Sequence, residues 1–172
     1  MILGIDVSEH NGVLDWKAIK DWGISFAILR LGYGKGHLDR RFYENINGVL
    51  AAGLQAGVYY YSYALTVEEA RDEARFTAYV LKDCGITPDR LAVGTWFDME
   101  DADGWKERGI YANYDWLIHR IDREKLSHYT FYWCAQWAPH CDLPGAAIWQ
   151  YTDRLDVCGR VFDGNLLMSH CW

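Results

Sequence analysis

Two carboxylates one residue apart close the apolar run LAVGTWFDME: Asp98 and Glu100, with Asp101 behind them. If the run is a strand, positions i and i+2 share a face, which sets the two acids about 7 Å apart along one side. Charge on a buried strand is costly unless it is paired or used. Two further acids have similar settings, Asp6 near the end of ILGIDVS and Asp163 in RVFDGNLL. Like charges crowded into one cleft push one pKa up, which supplies a proton donor beside an ionised partner. Asp6, Asp98, Glu100 and Asp163 are therefore the candidate catalytic set for acid–base chemistry.

Such acids need a scaffold that brings distant segments to one mouth, and the hydrophobic pattern provides one. ILGIDVS, SFAILRLGYG, AGVYYYSYA, RLAVGTWFDME and GIYANYD read as strands. LDWKAIKDWG, RRFYENINGVLAAG and TVEEARDEARFTAYVLKDCG read as the helices between the first four. Asp15 is a plausible N-cap, Thr66 and Glu69 form a capping box, and Gly53 and Gly85 close helices. WLIHRIDREKL is a fourth helix, after which YTFYWCAQWA, AAIWQYT and RVFDGNLL follow as strands without helices. Alternating strands and helices imply parallel pairing through right-handed crossovers. Eight strands in this order predict an α/β fold, a modified TIM-like barrel in one domain spanning residues 1–172. The active face of such a barrel is the C-terminal end of its strands.

Composition narrows the partners. A formal net charge of -7 argues against nucleic acid. No apolar stretch approaches the roughly 18 residues of a membrane span, and the N-terminus lacks the pattern of a secretory signal. Nine Trp, 12 Tyr and 6 Phe suit both a large core and a cleft lined with flat rings. The 5 cysteines, without CxxC spacing, suggest mostly reduced thiols. Cys134, His140, Cys141, Cys158, His170 and Cys171 do not form a recognised zinc spacing, and GYGKGH departs from the dinucleotide fingerprint. No metal and no cofactor is expected.

GIDVSEHNG, FAILRLGYG, AGVYYYSYA, WFDME, AAIWQYTD and FDGN together resemble the glycoside hydrolase family 25 lysozymes, the Chalaropsis-type muramidases of phage endolysins, bacteria and fungi. The resemblance implies a (β/α)5(β)3 barrel and cleavage of the β-1,4 bond between N-acetylmuramic acid and N-acetylglucosamine in peptidoglycan. It implies Glu100 as general acid. Asp98 would be the neighbour that stabilises positive charge near the anomeric carbon, and could do so by orienting the substrate's own acetamido group. Asp6 and Asp163 match the remaining acids of the cleft. Tyr61 matches a cleft tyrosine. Gln136, Trp149 and Tyr151 match sugar-contact positions, and Arg30 could pair with a cleft acid. The expected partner is a peptidoglycan glycan strand, met by an enzyme made in the cytoplasm and acting on the cell wall.

One segment departs from the family. Only the nine residues 101–109 separate Glu100 from Ile110, so the helix expected between the fourth and fifth strands is missing. A parallel crossover normally takes roughly a dozen residues or more. Nine extended residues span about 30 Å, enough for a stretched return only. With Asp98 and Glu100 inward, Val93, Phe97 and Met99 would face outward and uncovered, an apolar face open to self-association. The same shortening admits a different function, a barrel that binds cell-wall glycan without cutting it.

Overall fold

The computed structural model describes residues 2–98, 109–126 and 130–169. The strands are β1 (Ile2–Val7), β2 (Phe26–Tyr33), β3 (His37–Leu38), β4 (Gln55–Tyr61), β5 (Thr95–Asp98), β6 (Gly109–Asn113), β7 (Phe131–Ala135), β8 (Ala146–Val157) and β9 (Arg160–Leu167). The helices are α1 (Trp16–Trp22), α2 (Phe42–Ala51), α3 (Val67–Asp83) and α4 (Tyr114–His119). Sheet order is β1-β9-β8-β7-β6-β5-β4-β2-β3, and β1 also pairs with β2. That last pairing closes eight strands into a barrel and leaves β3 as a short flap on β2. Pairing is parallel from β1 through β2, β4, β5, β6 and β7 to β8. It is antiparallel where β9 fits between β8 and β1. The barrel and its three helix-poor final strands match the expected α/β architecture.

Strand alternation divides the apolar residues between two sides of the wall. Inside lie Phe26, Ile28, Trp96, Trp133, Ile148 and Leu167, with Tyr59 and Tyr111 above them. Room for these rings comes from glycines. A Cβ on Gly4 would meet the Phe26 ring at 2.3 Å, and one on Gly109 would meet Trp96 at 2.6 Å. Outside, Ile5, Leu29, Val58 and Tyr60 pack under Trp16 and Ile19 of α1, Phe42 and Ile46 of α2, and Val80 of α3. Burial of this kind, at about 25 cal/mol per Å² of apolar surface, is what holds the helices down.

The capping signals are present. Asp15 accepts the Ala18 amide at 3.0 Å and Thr66 accepts that of Glu69 at 3.2 Å. The Glu69 carboxylate reaches back to the Leu65 amide at 2.9 Å. Gly53 takes φ 68° just after α2, and Leu54 N–H then bonds the Val49 carbonyl at 3.1 Å. The fourth helix is shorter and earlier than WLIHRIDREKL suggests. Asn113 caps it by accepting the Trp116 amide at 2.9 Å, and it ends at His119.

Two expectations about the fourth barrel strand change. The run RLAVGTWFDME is not strand throughout, because Gly94 at φ 81° makes a turn with the Leu91 carbonyl at 2.8 Å. β5 starts only at Thr95, so Val93 is out of phase with Phe97. Val93 is fully buried within the barrel cluster rather than on an uncovered outer face. Phe97 does face outward. It lies 6.1 Å from the Tyr60 ring and lines an apolar groove with Ala70, Ala74, Ala78 and Leu81 of α3. Met99 and the shortened connection itself lie outside the described residues. The strands on either side of that connection are direct parallel neighbours, Phe97 opposite Ile110 and Asp98 opposite Tyr111.

Candidate active site

The barrel mouth is built where β1 meets β9. Asp6 and Asp163 are direct partners across this antiparallel seam. Each is only partly exposed. Asn165, two residues from Asp163 and so on the same face, donates Nδ2–H to Asp6 Oδ2 at 2.8 Å. Gln150 of β8 donates Nε2–H to the same oxygen at 3.0 Å. Both amides are held in this orientation from behind. The Trp133 indole N–H donates to Asn165 Oδ1 at 2.8 Å, and the Tyr111 hydroxyl donates to Gln150 Oε1 at 3.1 Å. A polar chain therefore runs from the aromatic core of the barrel to one carboxyl oxygen at its mouth.

Opposing forces act on Asp6. Burial raises its pKa most, followed by the charge of Asp163, while the two amide donors lower it; the outcome is about 7. A side-chain hydrogen bond between Asp6 and Asp163 works in the same upward direction. Burial and the facing charge thus favour the protonated form of Asp6. Tyr59 lies within the field of Asp6 and Asp98, and burial together with those charges keeps its phenol protonated far into the alkaline range. A cavity of about 210 Å³ opens here, lined by Asp6, Asp163, Tyr59, Ser8, His10 and Asp153, among others.

The other expected residues fall in several places. Asp98 ends β5, buried, with Tyr61 and Tyr111 as its strand partners. Its carbonyl accepts the Ser62 amide at 3.0 Å. Glu100 lies outside the described residues. Tyr61 shares the inward face of β4 with Tyr59 and is half-buried at the rim, its ring 5.4 Å from Tyr63. The backbone beyond it is held by Glu73 of α3, which accepts the Ser62 hydroxyl at 2.6 Å and the Tyr63 amide at 3.1 Å.

Arg30 pairs with a second acid cluster, that of Asp39 and Glu9. Its Nε donates to Asp39 at 2.8 Å, its guanidinium lies 3.4 Å from Glu9, and it sits 4.9 Å over the Tyr33 ring. Gln136 is engaged with its own loop, where its amide oxygen accepts the Asp142 N–H at 2.8 Å and its amide nitrogen donates to the Asp142 carboxylate. Trp149 is on the opposite face of β8 from Gln150. Its indole donates to the Gln136 carbonyl at 2.7 Å, and its ring lies 5.8 Å from that of Tyr151. Asp6 and Asp163 thus come together at the seam and Asp98 lies at the end of β5, while Gln136, Trp149 and Tyr151 form a separate group at the β7–β8 end.

Sequence reading passed over Tyr59, Gln150, Asn165 and Asp153. Asn165 and Tyr59 had a usable signal, since each lies two residues along a strand from a residue already chosen. Gln150 required knowing which of Trp149 and Gln150 faces inward. Asp153 required the length of β8, which runs to Val157 because Cys158 and Gly159, both at positive φ, make a tight hairpin turn into β9.

A closed α/β barrel with several carboxyl groups at one mouth has the design of a carboxylate-dependent hydrolase. The chain belongs to glycosyl hydrolases family 25, which its residues 5–108 match. It is 34% identical to Lysozyme M1 of Streptomyces globisporus over 61 residues, which cover 36% of this chain and 21% of that protein. The chain thus aligns with only about a fifth of that relative. Its fold is similar to the modular autolysin LytC of Streptococcus pneumoniae, solved with a synthetic peptidoglycan ligand. The TM-score is 0.81 at 22% identity, over 95% of this chain and 46% of LytC. It is also similar to the catalytic domain of endolysin ply40 from bacteriophage P40 of Listeria monocytogenes. There the TM-score is 0.79 at 20% identity, over 99% of this chain and 95% of that one.

Proposed function

We propose that this chain hydrolyses peptidoglycan, cutting the β-1,4 bond between N-acetylmuramic acid and N-acetylglucosamine. The observation that carries the reading is the pair Asp6–Asp163 facing across the β1–β9 seam, with buried Asp98 and Asp6 both acting on Tyr59, in a family 25 barrel. Lysozyme M1 and the peptidoglycan-bound LytC support the substrate class. In this reading Glu100 protonates the glycosidic oxygen as the bond to the anomeric carbon breaks. Asp98 opposes the positive charge left on that carbon, directly or by orienting the acetamido group, and water then adds. Asp6 and Asp163 orient the sugar through hydrogen bonds. Tyr61, half-buried at the rim, contacts the sugar in this reading.

Reducing-end release from purified peptidoglycan tests this, comparing the parent with Glu100→Gln and Asp98→Asn. Release by the parent, reduced at least about 100-fold in Glu100→Gln, is the expected result for loss of a general acid. The short link of ten residues, 99–108, between two adjacent parallel strands favours a second reading, glycan binding without cleavage. Cell-wall retention by a folded parent that releases no reducing ends would establish it.

A further inference from the structure

Cys134 and Cys141 sit at the two ends of a loop that has no helix to hold it. Cys134 is the fourth residue of β7 and faces outward, since its neighbour Trp133 fills the barrel. The chain leaves β7 at the mouth and must return along the outside of the wall to start β8, its parallel neighbour. On that return Cys141 packs against the same outer cluster as Cys134, with Ile110, Leu117, Leu143 and Ala146. Neither thiol is in a disulfide. The Cys141 thiol contacts the Leu143 carbonyl at 4.0 Å on the face where Cys134 is buried, and burial, with Cys141 as its neighbour, pushes the Cys134 thiol up to about 12. The same two chain segments are clasped one step further out by the paired hydrogen bonds of Gln136 and Asp142. Between them the loop carries Trp137, which is 64% exposed.

We propose that Cys134 and Cys141 are a redox staple, closing to a disulfide that ties the returning loop to β7 when the protein meets a small-molecule disulfide. Cys141, the more exposed of the two, attacks first as thiolate. It forms a mixed disulfide and releases one small thiolate. Cys134 then gives up its proton to solvent and attacks the Cys141 sulfur, forming the internal bond and releasing the second small thiol. Two protein thiols are oxidised and one small disulfide is reduced. The second step is the slow one, because Cys134 resists deprotonation. The staple closes an eight-residue loop, 134–141, and fixes Trp137 at the end of β7. This does not depend on the glycosidase reading.

The test uses the full chain carrying Cys158→Ala, which removes the exposed competitor. It is incubated with oxidised glutathione, its remaining thiols are alkylated, and non-reduced peptides are mapped. A Cys134–Cys141 linked peptide is expected, with Tm raised on the order of 5 °C and restored by dithiothreitol. Adding Cys141→Ser should abolish the Tm rise while leaving the reduced protein's Tm unchanged. Alkylation of both thiols after oxidation would overturn the proposal. So would glutathione retained on Cys141 with Cys134 free, or linkage seen only in denaturant.

Discussion

Two acid clusters lie near the mouth, and they are built on opposite rules. At the seam, Asp6 faces Asp163 and accepts from the neutral amides of Gln150 and Asn165. Beside β2, Asp39 and Glu9 face arginines. Asp39 accepts from Arg30 at 2.8 Å and from the backbone of Glu9 and Arg41 at 2.9 Å each. Glu9 accepts from Arg40 at 2.8 Å, and chiefly through that bond its pKa falls below the ordinary value. The first cluster stores a proton and the second neutralises charge. Residue type alone does not separate a reactive acid from a structural one; the partner does.

That contrast can be broken most severely at Asp39. Asp39→Ala leaves the Arg30 guanidinium and the Glu9 amide without their buried acceptor, and chemical denaturation should show a loss of roughly 3–5 kcal/mol. At the seam the same kind of change has the opposite sign. The Asp6 pKa is raised, so the folded state binds its proton more tightly than the unfolded chain. The stability it contributes is complete below the ordinary carboxylate range and is lost as pH rises toward and through about 7. Asp6→Asn should therefore flatten the fall in Tm measured between pH 4 and 8, and a steeper fall in the variant would refute the pairing.

Asp163→Asn sharpens the comparison from the other side. With the neighbouring charge gone, the Asp6 carboxyl should titrate lower than in the parent, read by carbon-detected NMR. Glu9→Gln should lower Tm at neutral pH and leave it close to the parent's in acid. The depressed Glu9 pKa gives stability that is present above the ordinary range and disappears as pH falls through the folded value, so the variant loses that acid-side dependence. Smallest of all is Arg40→Ala. Its side chain is 83% exposed, so denaturation should register the smallest change of the set.

Much of this was legible before any coordinates. Hydrophobic patterning and capping residues located the strands and the first three helices, and the apolar run that it closes put Asp98 at a strand end. What escaped was set by single backbone angles and by distant partners. Gly94 at positive φ flips Val93 to the inside, and no local pattern distinguishes that glycine from one in a regular strand. Arg30 reads as a match for any nearby acid, yet its choice of Asp39 depends on where the β3 flap returns the chain. Trp149 and Gln150 are adjacent, and only the register against β9 decides which one meets Asp6.

The seam between β1 and β9 also has a consequence for biosynthesis. Asp6 emerges among the first residues of the chain, while Asn165, its hydrogen-bond donor, lies 159 positions later. Contacts so far apart in sequence form late and slowly. A ribosome-bound chain can assemble the early βα units, but it cannot pair Asp6 with Asp163 until β9 is released. The proton-holding centre therefore comes into being last, after the scaffold that supports it.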